Sequence, residues 1–271
     1  MDRMSDTREY ADGKLRLTRD GGVAALTFDN PGKLNAMSLS MWHALGDVCE
    51  ELARDDSLRV LTLEGAGERA FVVGADISEF GERRGDAAAS AAYNDAVERA
   101  EAAVEAMPVP VLALIRGFCI GGGLAIAMRC DLRLARDDAR FAITPARLGL
   151  GYGHDGIASL HARLGHAVSA DLLFSGRKLP ADEALAKGIC DHVYPAASFE
   201  ADCATYVGQL AQNAPLTIRA AKAALLELAR PEAKRDPARV ARMVAACFDS
   251  EDYREGQRAF AEKRPPRFKG R

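Results

Sequence analysis

The chain has 271 residues, of which 48% are hydrophobic and 28% charged, and its formal net charge is −3. This is the composition of a soluble globular protein with one large domain, or one domain and an appendage. It excludes a global field that attracts nucleic acid or a membrane surface, and no apolar run is long enough to span a bilayer. Cys49, Cys119, Cys130, Cys190, Cys203 and Cys247 form no Cys-x-x-Cys pair and stand at no metal-ligand spacing from histidine, so no metal is expected. Reduced core thiols, and a polar start without the apolar core of a secretion signal, point to the cytoplasm.

Residues 1–13 read as a flexible lead-in. Val23–Phe28 reads as a strand ending at the turn Asp29-Asn30-Pro31-Gly32. Ser38 caps a helix whose one face carries Met41, Trp42, Leu45, Val48, Cys49 and Leu52. Val60–Leu63 is a second strand, closed by Gly65. Gly81 to Ala92, rich in charge, Ala and Gly, reads as a mobile stretch, with a helix after it to Met107. Val111–Ile115 is apolar throughout, as strands covered on both faces are. A helix over Leu124–Met128 belongs to the core, and Leu132–Ala135 is another strand. The loop with Pro145, Gly149, Gly151, Gly153 and Gly156 reads as constrained and functional. Leu179–Gly188 is a short helix and Ile189–Tyr194 a last strand. From about residue 200 the pattern is helical only, with one face on Val207, Leu210, Ala211 and Ala214 and another on Val240, Met243, Val244, Cys247 and Phe248. The basic tail Lys263–Arg271 is solvated or meets another subunit. No strict internal repeat is visible.

Two segments carry the chemistry. Phe71-Val72-Val73-Gly74-Ala75-Asp76 and Ile120-Gly121-Gly122-Gly123-Leu124 each place glycine at a sharp turn out of an apolar run. Each leaves a backbone N–H aimed into a cleft, and two such donors make an oxyanion hole for a carbonyl oxygen that gains negative charge. Gly122 also opens a helix, whose N-terminal partial positive charge assists.

Gly74-Ala75-Asp76-Ile77, Gly121-Gly122-Gly123, Cys130-Asp131-Leu132 and the ending Phe260-x-x-Lys263-Arg264-x-Pro266-x-Phe268 resemble the enoyl-CoA hydratase/isomerase (crotonase) superfamily from about residue 15 to the end. The resemblance implies an α/β fold: a crotonase-like spiral of β-β-α turns over residues 14–199 with a C-terminal helical trimerisation region over 200–271. It implies a homotrimer or a homohexamer built as a dimer of trimers, and an acyl-CoA thioester as substrate, with no cofactor beyond its coenzyme A moiety. By position, Ala75 and Gly122 supply the oxyanion-hole N–H groups, Asp76 and Ile77 line the adenine site, Lys33 lies one residue from a phosphate-contacting base, and Phe260 and Lys263 complete the CoA site.

Two positions depart from the family pattern. Its hydratases use two glutamates, and here those positions hold Ala125 and Pro145, neither of which shuttles a proton. General acid–base catalysis contributes about 10²–10⁴-fold, so their absence argues against two-glutamate hydration. The substitute candidates are Tyr152, His154 and Asp155, as acid/base groups or substrate contacts. The span Thr144–Tyr152 and the ending Asp249–Tyr253 also resemble the methylmalonyl-CoA decarboxylase-like branch, in which a tyrosine at the position of Tyr152 holds the substrate carboxylate. That branch has His at the position of Ala75 and Glu at that of Ala125. Each candidate also has a structural reading: Tyr152 packs at the loop tip, His154 sits on a surface loop, and Asp155 caps a helix. His161 reads as packed and Asp131 as structural. Glu79 reaches the cleft, Arg147 faces ligand or solvent, and Trp42, Phe80 and Phe118 shape the pocket. The favoured chemistry is decarboxylation or another carbon–carbon lyase reaction. Hydration by replacement groups, thioester hydrolysis and a non-catalytic CoA-thioester-binding subunit are the alternatives.

Overall fold

The computed structural model describes residues 6–79 and 87–271. Strands β1 (Asp6–Tyr10), β2 (Leu15–Asp20) and β3 (Val23–Phe28) form an antiparallel meander, and helix α1 (Leu39–Leu52) follows. Three turns of chain then repeat one plan. The first is β4 (Val60–Gly65), β5 (Ala70–Val72) and α2 (Ala87–Glu105). The second is β6 (Val111–Ile115), β7 (Phe118–Ile120) and α3 (Gly122–Arg129). The third is β8 (Leu132–Arg136), β9 (Arg140–Ala142) and the short α4 (Pro145–Leu148). Helix α5 (His154–Ala170) follows, then β10 (Leu179–Pro180), α6 (Ala181–Ala186) and β11 (His192–Tyr194). The chain ends in α7 (Phe199–Gln212), α8 (Pro215–Ala229), α9 (Pro237–Asp249) and α10 (Glu251–Ala261).

In each turn the first strand enters a larger sheet, ordered β1-β2-β3-β4-β6-β8-β11, and the second enters a smaller one, ordered β10-β9-β7-β5. Strands β4, β6 and β8 pair in parallel, as do β5, β7 and β9, so successive turns stack as a spiral. The plan repeats in structure although the sequence shows no repeat. Each turn needs only an apolar strand and a corner, and many residues satisfy both.

Strand β6 shows why its run is apolar throughout. Side chains alternate across a strand. Val111, Ala113 and Ile115 enter the main core, while Leu112 and Leu114 enter a second core with Phe199, Cys203 and Val207 of α7. Helix α7 therefore covers the back of the larger sheet, and the helical region beginning near residue 200 is joined to the body through it. Helix α8 is tied in by Lys222, which donates to the Val109 carbonyl at 2.8 Å and to Asp131 at 2.7 Å. Asp131 also accepts the Val111 N–H at 2.7 Å, so its role is structural, as the sequence indicated.

The start of α1 follows its sequence: the Met41 N–H donates to Ser38 Oγ at 3.3 Å. Its predicted apolar face is buried throughout. Other expectations need correction. Residues 6–10 are not a loose lead-in but strand β1, paired along its length with β2. Thr7, Arg8 and Glu9 are all exposed, so no apolar alternation announces it. Helix α2 starts at Ala87, which shortens the stretch expected to be mobile; Phe80 and residues 81–86 lie outside the described residues. The last strand is confined to His192–Tyr194. The basic tail is largely exposed, as a solvated tail would be, yet its backbone is pinned. Asp252 accepts the Lys269 and Gly270 N–H groups at 2.6 and 2.8 Å, and Arg59 donates to the Phe268 carbonyl at 2.8 Å.

Candidate active site

Two corners of the spiral meet at one point. After β5 the chain turns at Gly74 (φ +91°), and after β7 at Gly121 (φ +56°), which caps α3. The corners touch: a Cβ built on Gly122 would lie 3.5 Å from Gly74 Cα. Gly123 is required by close approach, because a Cβ there would lie 2.1 Å from the Val72 carbonyl oxygen.

The first corner is held by α1's lead-in. Met37 donates to the Gly74 carbonyl at 2.8 Å and accepts the Asp76 N–H at 2.8 Å. Between these two bonds the Ala75 N–H donates to no group among the described residues. Gly122 is the first residue of α3, a position whose N–H has no intrahelical acceptor. Ala75 and Gly122 therefore each carry an N–H with no acceptor among the described residues, the second at a helix N-terminus. Trp42 supports this arrangement from behind. Its Cζ2 lies 3.3 Å from the Cβ position of Gly122, its indole donates to Tyr93 Oη at 3.0 Å, and it is 1% exposed. It buttresses this corner, and its burial leaves it no surface with which to line a pocket. Phe118 on β7 is half-buried beneath the Lys178 ammonium, 4.8 Å from its ring centroid.

Lys33, Asp76 and Ile77 are brought to the same edge. Lys33 Nζ lies 2.6 Å from Asp76 and 2.8 Å from Ser78 Oγ, while the Ser78 N–H donates to Asp76 at 3.0 Å. Burial pushes the Asp76 carboxyl up, but the Lys33 ammonium and the Ser78 hydroxyl and N–H outweigh it and hold it below its usual value. Asp76 is thus occupied as an anchor for Lys33, whereas Ile77 is 70% exposed and free to pack on a flat ring. Phe260 and Lys263 lie elsewhere in the protomer. Phe260 is 88% exposed and lines an apolar groove of about 720 Å³ between α8, α9 and α10, which none of the corner residues lines.

Glu79 does not reach into the cleft; its carboxylate accepts the Leu39 N–H at 2.9 Å, at the start of α1. The glycines of the 149–156 loop are mostly not forced by crowding. Gly149 has φ +67°, but Cβ atoms at Gly149, Gly151 and Gly153 would meet nothing. Gly156 is the exception, because Tyr152 Cε1 lies 2.6 Å from its Cβ position. Tyr152 is half-buried against the main core through this contact. Burial, and then the charge of Glu101, push its phenol above its usual range, with Arg129 opposing.

His154 and Asp155 do not converge on the corners as an enclosed acid/base pair. They open α5 with side chains 93% and 71% exposed and make a 3.2 Å contact with each other. Solvent reaches both, so neither is enclosed. His161 is likewise exposed, its ring 6.3 Å from that of His166, and Arg147 is exposed and lies over Gly176.

Ala125 stands one turn into α3 and is buried, with no carboxylate in its place, and Pro145 opens α4. Further along the same α3 face comes a residue that sequence reasoning passed over. Gly122, Ala125 and Arg129 share a face by spacing. Arg129 pairs with Glu101 at 3.1 Å and with Glu105 at 2.8 Å, both on α2. The available signal was one arginine at the end of a helix apolar on every other side chain.

The enoyl-CoA hydratase/isomerase family model matches residues 18–271. The chain belongs to that family. Among its similar relatives, carnitinyl-CoA dehydratase of Proteus mirabilis is 35% identical over 261 residues, covering 95% of this chain and 98% of that protein. Short-chain-enoyl-CoA hydratase of Clostridium acetobutylicum is 30% identical over 248 residues, covering 92% and 94%. A solved enoyl-CoA hydratase/carnithine racemase from Magnetospirillum magneticum superposes with TM-score 0.90 at 33% identity, covering 97% of each chain. The spiral described above is thus the crotonase fold.

Proposed function

We propose that the chain is an acyl-CoA enzyme in which the Ala75 and Gly122 N–H groups stabilise a thioester enolate formed by loss of carbon dioxide or another carbon fragment. One observation carries the reading: the corners that hold Ala75 and Gly122, each with an N–H that has no acceptor among the described residues, touch, while Ala125 and Pro145 hold no carboxylate. In this step the bond from the α-carbon to the departing carboxylate breaks. Its electron pair moves into the enolate, the oxyanion rests on the two N–H groups, and a proton then enters at the α-carbon with the thioester intact. The departure itself makes the enolate, so no strong base is needed. Each donor contributes about 3 kcal/mol to such a transition state. Tyr152, neutral and half-buried, serves as a hydrogen-bond donor to the leaving carboxylate. Lys33, anchored by Asp76, meets a CoA phosphate, and Ile77 packs against the adenine.

The groove that Phe260 lines is the surface for a neighbouring subunit in a homotrimer or a homohexamer, which brings Phe260 and Lys263 to a CoA site. A second reading, hydration or dehydration of an enoyl-CoA, is favoured by the names of relatives such as short-chain-enoyl-CoA hydratase. It requires a base from outside positions 125 and 145.

Incubation with enoyl-, malonyl-type and saturated acyl-CoAs in D2O, followed by mass spectrometry, tests the reading. Loss of carbon dioxide with one deuterium gained supports it, and loss of that turnover in Tyr152→Phe supports the tyrosine's role. Addition of water to an enoyl-CoA favours the second reading. Release of free CoA marks thioester hydrolysis, and unchanged but bound CoA species mark a non-catalytic binder; either overturns the proposal.

A further inference from the structure

Behind the two corners lies a row of buried groups that the chemistry above leaves unused. Met37, Trp42 of α1 and Tyr93 of α2 are 0%, 1% and 2% exposed. Trp42 Cζ2 and Cη2 lie 3.3 and 3.6 Å from the point at which Gly122 would carry a Cβ. The indole N–H donates to Tyr93 Oη at 3.0 Å. The Tyr93 hydroxyl in turn donates to the Met37 carbonyl over a long 3.5 Å, and that oxygen already accepts the Asp76 N–H at 2.8 Å. A carbonyl has two lone pairs, so it can serve both donors. The Met37 N–H donates to the Gly74 carbonyl, so Met37 holds the chain on either side of Ala75. These contacts close a ring. Gly122 rests on Trp42, Trp42 is held by Tyr93, and Tyr93 reaches the residue that clamps Ala75. The two helices that carry the ring are locked together beside it: a Cβ on Gly46 of α1 would lie 3.6 Å from Ala100 Cα of α2.

Resting on the proposed function, we propose that Tyr93 is a positioning residue for the oxyanion hole: its hydroxyl fixes the Trp42 indole behind Gly122 and, through Met37, ties that corner to the one that carries Ala75. The need for such a tie follows from the corners themselves. Gly74 and Gly122 meet without side chains that could interlock, so their spacing has to be set from behind. A donor stabilises an oxyanion only when it is aimed at the place where the oxygen gains charge. Apolar packing would fill the space behind Gly122, but it would not fix the angle of the ring that fills it. The indole N–H supplies that angle, because it is a single donor with a fixed direction and, when buried, it keeps its acceptor. Phenylalanine at position 93 would preserve the packing and leave the indole N–H without this acceptor.

Trp42 is the only tryptophan in the chain, so protein labelled with 15N-tryptophan gives one indole N–H resonance, and it reports this bond alone. Tyr93→Phe is expected to move that resonance upfield. It should also lower kcat about tenfold, part of the roughly 100-fold or more that loss of a whole donor costs. KM should change by no more than about twofold, because the CoA contacts stay in place. Val104→Ala is the control for a merely structural effect. Val104 is buried on the same helix, roughly 16 Å along it from Tyr93, so its truncation should lower Tm and leave kcat and the indole resonance alone. If Tyr93→Phe does not fold, benzothienylalanine at position 42 keeps the ring, removes only its N–H, and should show the same loss of kcat. An unchanged kcat in the folded variant, a loss confined to KM, or an equal loss in Val104→Ala overturns the proposal. Absence of turnover with every acyl-CoA would instead sink the proposed function, and the test then passes to acetyl-CoA against free CoA. Trp42 is too buried to touch either, so its resonance should move with the thioester alone, and move less in Tyr93→Phe. A resonance that answers both ligands equally, or neither, overturns the tie.

Discussion

Gly122→Pro removes the backbone donor and puts its ring Cδ where the amide hydrogen pointed. Proline has no N–H, and its ring fixes φ near the helical value. Position 122 is the first residue of α3, where proline is well tolerated and no helix hydrogen bond is lost. The added Cβ meets Trp42 Cζ2 at 3.3 Å, so the indole must give by a few tenths of an ångström. Gly122→Ala adds the same Cβ and keeps the N–H, which makes it the matched control. Both variants should lose no more than about 1–2 kcal/mol of stability. The proline variant alone should lose the donor, worth about 3 kcal/mol, or roughly 150-fold in rate. The assay is deuterium gain at the α-carbon of the acyl-CoA that turns over, with thermal melts of both proteins alongside. Equal rates in the two variants, with both folded, would refute the assignment of the Gly122 N–H to the oxyanion.

Other expectations follow from the same structure. Lys33→Ala should weaken binding of free CoA by about tenfold, the worth of one charge-assisted contact, as read by calorimetry. Asp76→Asn, which releases the anchor at 2.6 Å, should weaken it in the same direction by less. Acid should free the tail. The Arg264 guanidinium and the Arg267 N–H hold the Glu255 carboxyl down at about 2, so this tie is whole above the ordinary glutamate value and lost as pH falls towards 2. Tryptic release of the tail above pH 5 would contradict that order. Thiol labelling should find Cys247 alone in the folded protomer. The other five cysteines are buried, and burial pushes Cys49, Cys130, Cys190 and Cys203 up to about 12. Cys247 lines the groove between the C-terminal helices, so its protection should rise with protein concentration if a second copy covers that groove.

What was legible in the sequence was whatever is local. Ser38 announces α1 because a cap is a contact over three residues. Val111–Ile115 announces a doubly covered strand because every side chain on it is apolar. Gly74 and Gly121 announce corners because both take a positive φ that few other residues adopt. The rest depended on what lies across from it. Arg8 and Glu9 of β1 read as loop because an exposed edge hairpin carries no alternation. Trp42 read as pocket lining because nothing in its own segment says that Gly122 stands on it. Glu79 and His154 read as cleft residues because a polar side chain beside a glycine motif gives no hint of its direction. The Glu101–Arg129 pair was missed for a related reason: Glu101 lies in a helix whose charges look like a solvated face until α3 is laid against it.

The two donors come from consecutive turns of one spiral, so their separation is a strand spacing rather than a side-chain geometry. No codon spells the hole directly, and removing it takes a change to the backbone itself, as proline at 122 makes. On the proposed reading, an anion site laid out by backbone persists while the side chains at positions such as 125, 145 and 152 change.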